Sequence, residues 1–592
     1  AGIAVMENST VKVIRSAGKI KNLEDKIANK HFHGSLGLGH TRWATHGAPT
    51  DTNAHPHKVG SITLVHNGII ENYLELKKEV LAAGRKIASE TDTEIVAHLF
   101  DIQAQTGRTL KESMSAVLPR LKGSYAFVIL NDQEPDTIVG VRNGPPLLVG
   151  IGKHETFVAS DVQAVLHRTK DIIYLKDHQY VICKKDRVEV HDAKGKKIKP
   201  EIHTIEWSPE QIEKGGFAHF MLKEIHEQPQ ALSNTIDGNI DQATGVISLT
   251  ELDTLKIAPE KIERIFLVAC GTARHAALVG KYLIERYARI PVEVDFGSEF
   301  RYRDPIMEKN SIVLAISQSG ETADTLAGLR AAKSKRIATV SICNVRESTI
   351  ARESNAVIYT NAGPEIGVAS TNAFTTQLAT LGMLAVHLGV KNGSLDLKRA
   401  RHLTNDIVRL PHLIERTLEL EPKIEKLAQK YKNCPFYFFI GRDVNYPIAL
   451  EAALKLKEIS YVAAEGCPAG ELKHGPIALI DPHTVTVVLA AQNTTSTNCL
   501  DESQLNTTLY EKVVSNLQEV RARGGKTIVI GTENDEMLPG QCDHFLGVPA
   551  ATWATNPTLL TIPVQLLAYH VALLKGTDVD KPRNLAKSVT VE

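Results

Sequence analysis

The sequence predicts a layered α+β domain followed by two doubly wound α/β subdomains. Three observations predict it. Residues 1 to about 205 alternate short β-rich runs with turns, interrupted by helical patterns at 74–83 and 94–105. Beyond residue 230, apolar strands alternate with amphipathic helices, the pattern of parallel sheets covered on both faces. This second part also repeats: IFLVACG at 265–271 is matched by FYFFIG at 436–441, so Gly271 and Gly441 lie 170 residues apart, one ordinary domain length. The division is then 1–206, a linker at 207–230, subdomains at 231–400 and 401–581, and a tail at 582–592.

The 592 residues carry 68 Lys+Arg and 68 Asp+Glu, a formal charge of zero. That balance argues against nucleic acid or an anionic membrane as the main partner. No run reads as long and apolar enough to span a bilayer, and no signal-peptide pattern opens the chain. Seven scattered cysteines without CxxC spacing suggest neither a disulfide framework nor a zinc site, and the compartment is read as reducing and cytoplasmic. The 23 histidines form no ligand motif, so no metal is expected.

In the first domain, three polar stretches interrupt the strands: HTRWATHG at 40–47, HNGII at 66–70 and SETDTE at 89–94. Asn67-Gly68, taken alone, reads as a hairpin turn. Alternatively the Asn67 amide and Gly68 N–H form an oxyanion hole. Thr91 and Glu94 fit a capping box. Arg42 and Asp92 could hold the carboxylate and ammonium of an amino acid, or Arg42 could simply stack on Trp43.

A junction with Trp207-Ser-Pro209, a helical run from Phe217 to Glu227 and Gln228-Pro229 follows. The apolar strand at 311–316 then runs into SQSGET, Ser317 to Thr322, before a helix at 323–332. Backbone N–H groups at a helix start lack intrahelical partners and favour an anion, so this loop is either a phosphate cradle or a plain capped turn. It lacks the Gly-Lys-Ser/Thr ending of a nucleotide loop. Doubly wound sheets bind ligands beyond their C-terminal strand ends, which places Cys270-Gly-Thr272 on the same rim. In the second copy the corresponding stretch is LAAQNT at 489–494. There, Glu451, Lys455 and Glu458 are spaced to share one helix face, and the residues alone favour an exposed salt-bridged surface. His474 lies in a polar loop, and the last eleven residues read as a fraying tail.

CGT at 270–272, SQSGETADT at 317–325, EIGVAST at 365–371, AGELKHGP at 469–476 and PRNLAKSVTVE at 582–592 together resemble the glutamine–fructose-6-phosphate aminotransferase (isomerising) family. HTRWATHG, HNGIIEN and SETDTE resemble its glutaminase domain, which has the αββα N-terminal-nucleophile fold, and the duplicated part resembles its two sugar-isomerase (SIS) subdomains. The resemblance implies glutamine hydrolysis, passage of ammonia to the second part, and conversion of fructose 6-phosphate to glucosamine 6-phosphate without a cofactor. It assigns Thr272, Ser317, Gln318, Ser319 and Thr322 to the sugar phosphate and Lys587 to a Schiff base with the sugar carbonyl. Glu458 matches the base moving a proton between C1 and C2, and Lys455 a proton-transfer partner. His474 matches the ring-opening histidine, which comes from a neighbouring subunit and implies at least a homodimer. Arg42, Thr45, His46, Gly68 and Asp92 match the glutamine-binding set, Asn67 with Gly68 the oxyanion hole, and Trp43 the channel gate.

The sequence departs from the family pattern in three places. It begins Ala1-Gly-Ile-Ala-Val, past the family's nucleophilic first cysteine, and none of its cysteines precedes Cys183. The expectation for the sequence as it stands is a chain without glutaminase activity, an ammonia-dependent synthase or a hexose-phosphate isomerase, with the first domain weakened by a missing sheet edge. Ala273 stands where the family has a phosphate-loop serine, with an expected cost of ~1 kcal/mol in phosphate binding. Asn372 stands where it has a lysine.

Overall fold

The computed structural model describes residues 1–592 except 43–46, 206–212, 242, 495–499 and 591–592. The chain divides into two compact units. The first comprises Ala1–Pro209 with the last residues from Val589, and the second Glu210–Ser588.

In the first unit a seven-stranded antiparallel sheet has as its longest strands Ile62–Ile70 and Gly123–Asn131, which pair with each other. Side chains alternate along these strands, so each face gains its own core. Phe127 and Ile129 meet Ile95, Leu99 and Phe100 of the helix Asp92–Gln105 on one side. Ala126, Val128 and Leu130 meet Val149 and Ile173 of a four-stranded sheet and Ala4 and Met6 of a three-stranded one on the other. The layers run helices, sheet, sheet, and the short helix Ile20–Ile27 packs by the strand Thr10–Arg15.

Asn67-Gly68 is not a turn. Both residues sit inside the nine-residue strand Ile62–Ile70, paired with Ala126 and Tyr125. Gly68 has φ +129°, and a Cβ there would overlap the carbonyl oxygen of Ser124. The glycine serves close strand approach rather than chain reversal. The capping box at Thr91 is half-formed: Thr91 accepts from Glu94 N–H, but the Glu94 carboxylate accepts from Ala88 and Ser89 instead.

The second unit contains two five-stranded parallel sheets with one topology. In each, the second strand is outermost, followed by the first, third, fourth and fifth. The first sheet uses Arg264–Ala269, Val292–Phe296, Ser311–Ser317, Ala338–Cys343 and Ala356–Tyr359; the second uses Phe436–Gly441, Ala463–Pro468, Val485–Leu489, Lys526–Thr532 and His544–Val548. The duplication read from the sequence is therefore a duplication of fold.

The linker expectation at 207–230 changes. One helix runs Phe220–Ile236 through Pro229, packs on the helix Asn372–Lys391, and belongs to the second unit. Pro229 is buried inside it, where tertiary packing offsets the lost backbone bond. Two helices, Asn372–Lys391 and Asn556–Leu574, are long and apolar enough to cross a membrane by length and composition, contrary to the sequence expectation. Both are packed inside the unit, 94% and 89% buried, and are apolar all round because they are surrounded by protein.

Candidate functional site

The second unit gathers its polar residues at the C-terminal strand ends. The strand Ser311–Ser317 delivers Ser317, and the helix Ala323–Ser334 begins just after Thr322. Between them the loop folds on itself. Ser317 Oγ accepts from Gly320 N–H at 3.0 Å and lies 3.0 Å from Thr322 Oγ1, and Ser319 Oγ accepts from Glu321 N–H at 3.2 Å. Gln318 turns its carbonyl to Asn344 N–H. Gly320 has φ +65°, and a Cβ there would overlap Ser348 Oγ. Gly320→Ala is expected to disturb the loop at a cost of roughly 2 kcal/mol, read as an increased KM for a sugar phosphate.

The helix face carrying Glu451, Lys455 and Glu458 is not exposed. Glu451 and Lys455 are fully buried and Glu458 is largely so. The helix Tyr446–Ser460 is enclosed because it packs between Asn556–Leu574 and Gly271–Tyr287. Glu451 accepts from Thr272 Oγ1 at 3.0 Å, is paired with His275 Nδ1 at 2.7 Å, and has Lys455 Nζ 3.4 Å away. Lys455 Nζ donates to Glu458 at 2.7 Å. Burial works against the Lys455 ammonium, but Glu458 and Glu451, with Glu365 adding, outweigh it and raise its pKa. Burying three charges is tolerable only with such mutual pairing. Thr272 thus ties the first copy to the helix Tyr446–Ser460 of the second.

The tail does not fray. Arg583 N–H donates to Tyr461 Oη at 2.7 Å, and its guanidinium stacks on the Tyr461 ring. Lys587 Nζ pairs with Glu365 and donates to Gly367 carbonyl at 2.8 Å. Ser588 Oγ lies 2.9 Å from Ser319 Oγ. The Lys587 amine and the hydroxyl loop therefore meet at the tail, and the Glu365 that pairs with Lys587 also acts on the charge of Lys455. His474 is exposed, in the turn Ala469–His474, and no hydrogen bond among the described residues joins it to Glu458.

Three carboxylate- or imidazole-bearing residues escaped the sequence reading. Glu365 is fully buried and accepts from Thr371 N–H at 2.8 Å and Ala373 N–H at 3.0 Å as well as from Lys587. Burial would raise its pKa, but Lys587 and these donors lower it below the ordinary value. A lone acid in the small-residue run EIGVAST was the available signal. His275 and Glu224 had none: each sits in an ordinary helical pattern. Asn372 begins the helix Asn372–Lys391, and its buried Oδ1 has no hydrogen-bond partner.

In the first unit, His40 Nε2–H donates to Asn67 Oδ1 at 2.9 Å, which leaves the Asn67 amide N–H groups as donors. Asp92 is buried at the helix start and accepts from Ile70 N–H at 2.9 Å. Arg42 donates to the carbonyls of Gly47 and Ala48. Asn67, Gly68 and Asp92 are thus brought to the end of one strand. Trp43, Thr45 and His46 lie outside the described residues.

A family model described as a SIS domain matches residues 256–387 and 431–506, and one described as a glutamine amidotransferase domain matches 40–167. A Thermus thermophilus protein named glutamine–fructose-6-phosphate aminotransferase (isomerizing) is 47% identical over 595 residues, covering 100% of this chain and 95% of its own length. A protein of that name from Aquifex aeolicus is 44% identical over 594 residues, with the same coverage. The solved C-terminal domain of glucosamine-fructose-6-phosphate aminotransferase from Francisella tularensis matches with a TM-score of 0.56 and 41% identity, covering 62% of this chain and all of that one.

Proposed function

The chain belongs to the glutamine–fructose-6-phosphate aminotransferase (isomerizing) family, and from that premise we propose how its residues share the work. The reaction is the glutamine-dependent amination and isomerisation of fructose 6-phosphate to glucosamine 6-phosphate. The observation that carries the residue assignment is the tail: Ser588 reaches Ser319 of the hydroxyl loop while the adjacent Lys587 reaches Glu365. A hexose phosphate held by Ser317, Gln318, Ser319, Thr322 and Thr272 has its open-chain carbonyl within the reach of a lysine stem.

The Lys587 amine, after giving up a proton, adds to C2 of the ketose, and loss of water forms the imine. Ammonia then adds at C2 and releases the lysine. Glu458 takes the C1 proton and a proton returns to C2, leaving the 2-amino aldose. Net, ketose phosphate plus ammonia gives amino sugar phosphate plus water. Lys455, charged and paired with Glu458, positions that carboxylate and serves the sugar hydroxyls. His474, exposed on its own chain, suits a role in the site of a second copy, so the working form is at least a homodimer. Asn67 and Gly68 stabilise the glutamine-derived oxyanion, and Arg42, Thr45, His46 and Asp92 bind the amino acid, with Trp43 at the ammonia gate. The reading includes a cytoplasmic setting: the six described cysteines are free thiols, which a reducing compartment preserves.

The test supplies fructose 6-phosphate with either glutamine or ammonium. Glucosamine 6-phosphate is expected from ammonium under either reading, and product from glutamine as well carries the glutamine-dependent one. Product from ammonium alone favours the synthase without glutaminase activity, and sugar isomerisation without amination by either source would sink the reading.

A further inference from the structure

We propose that Glu224 is a positioning residue for the Schiff-base lysine, holding the Glu365–Gly367 turn against Lys587. The proposal rests on the reading of Lys587 given above. Glu224 lies in the helix Phe220–Ile236 and is 2% exposed. Its Oε1 accepts from Ile366 N–H at 2.6 Å and Gly367 N–H at 2.9 Å. The same turn supplies both partners of Lys587: the Glu365 carboxylate, and the Gly367 carbonyl at 2.8 Å. The lysine's two anchors therefore belong to one turn whose N–H groups end on a single buried side chain.

A second set of bonds joins the same parts. Asp580, at the root of the tail, accepts from Phe220 N–H at 3.0 Å and Met221 N–H at 2.9 Å at the start of that helix. Its own carbonyl accepts from Val368 N–H at 2.9 Å, just past the turn. Helix start, turn and tail root form one hydrogen-bonded body, so an error in the turn becomes an error in where the amine sits. Displacement of a reacting group by about 1 Å costs on the order of a hundredfold in rate.

The side chain is an unusual choice for a purely structural cap. Glu224 Oε2 is buried without a hydrogen-bond partner, in space that Gly367 leaves by having no Cβ. An unpaired buried oxygen costs folding energy. Burial and then the Glu365 charge push the carboxyl up, to about 8. The upward shift favours the neutral carboxyl, which braces the turn without a second negative charge beside the Lys587–Glu365 pair.

The experiment uses the full chain. Fructose 6-phosphate is mixed with the wild type, Glu224→Ala, Glu224→Gln and Glu224→Asp, and the lysine imine is trapped with borohydride in a single turnover. Thermal unfolding is followed in parallel. Glu224→Ala is expected to trap about tenfold to a hundredfold more slowly at saturating sugar, with the half-saturating concentration little changed. Glu224→Gln is expected to restore most of the rate, because its amide oxygen accepts the same two N–H bonds. Glu224→Asp, one methylene short, is expected to be slow while folded, and carries the test if the alanine variant does not fold. Wild-type trapping rates in the alanine or aspartate variant overturn the proposal. So does a glutamine variant as slow as alanine, since its amide oxygen keeps both N–H bonds to the turn. If the wild type itself traps no sugar, the Lys587 reading falls and this proposal with it.

Discussion

Lys587→Arg is expected to lose sugar turnover by roughly a thousandfold or more while the protein stays folded. Arginine keeps a positive charge for the buried Glu365 and can still donate to the Gly367 carbonyl, so the ion pair at the base of the tail survives. A guanidinium does not condense with a ketone, so only the covalent step is removed. Alanine is a less clean probe, because it also leaves the Glu365 carboxylate, buried among Thr371 and Ala373 N–H groups, without its cation. Lys455 cannot take over: it is 1% exposed and engaged by Glu458 and Glu451. Product formation from fructose 6-phosphate and ammonium measures the loss. Borohydride trapping followed by peptide mass spectrometry measures the adduct, expected on the peptide carrying Lys587 and absent from the variant. Turnover in Lys587→Arg comparable to that of the parent chain would remove the lysine from the mechanism and leave the site a binding site only.

The sequence foretold the two parallel sheets well because their signal is local. A strand buried on both faces must be apolar along its length, and IFLVA at 265–269, IVLAI at 312–316 and TIVIG at 527–531 each meet that condition. The hydroxyl loop was legible for the same reason: its residues, the strand before it and the helix after it are contiguous. What failed was each reading that depended on neighbours distant in sequence. Glu451, Lys455 and Glu458 look like a solvated helix face until Thr272, His275 and the helix Asn556–Leu574 close over them. Asn67-Gly68 has the composition of a turn, and only pairing with Ala126 and Tyr125 makes it strand. The tail looks free because its partners, Tyr461, Ser319 and Glu365, lie over one hundred residues away. Glu224 and His275 were invisible for that reason as well. The candidate site is built almost wholly from long-range contacts, and those are the ones periodicity does not report.

Acid is expected to unfold the first unit before the second. His66 of the Asn67 strand lies in a cluster with His40, His55 and His57, the His40 and His55 rings 4.4 Å apart and those of His55 and His57 5.0 Å apart. His55, His57 and His66 are buried, and His40, partly exposed as a residue, has a buried Nδ1. They are held by neutral-ring bonds: His55 Nδ1 accepts from His66 N–H, and His57 Nε2 lies 3.1 Å from Thr91 Oγ1. Burial first, and nearby cations with it, push His40 and His57 down to about 4 and His55 well below its ordinary value. In the unfolded chain each titrates near 6.5. Between those values the unfolded chain binds more protons than the folded one, so stability falls as pH falls. The loss begins below about pH 6.5 and is complete near 4, on the order of 3 kcal/mol for each of His40 and His57. The Glu94 carboxylate does not reverse the sign. Its burial is outweighed by His98 and the Ala88 and Ser89 N–H groups, which hold it down to about 2, so it stays ionised through this window. The second unit carries fewer such imidazoles among the described residues: burial pushes His387 down to about 4 and lowers His544, while Glu421 is kept at about 2 by His226 and then His570. Hydrogen exchange followed by mass spectrometry between pH 7 and 5 reads the difference directly. Peptides from the strand Ile62–Ile70 are expected to lose protection first, while those from Phe436–Gly441 keep it, and His57→Gln is expected to flatten the pH dependence of the first unit. Simultaneous loss in both units, or an unchanged slope in the variant, would mean that the buried imidazoles do not set the acid limit of the fold.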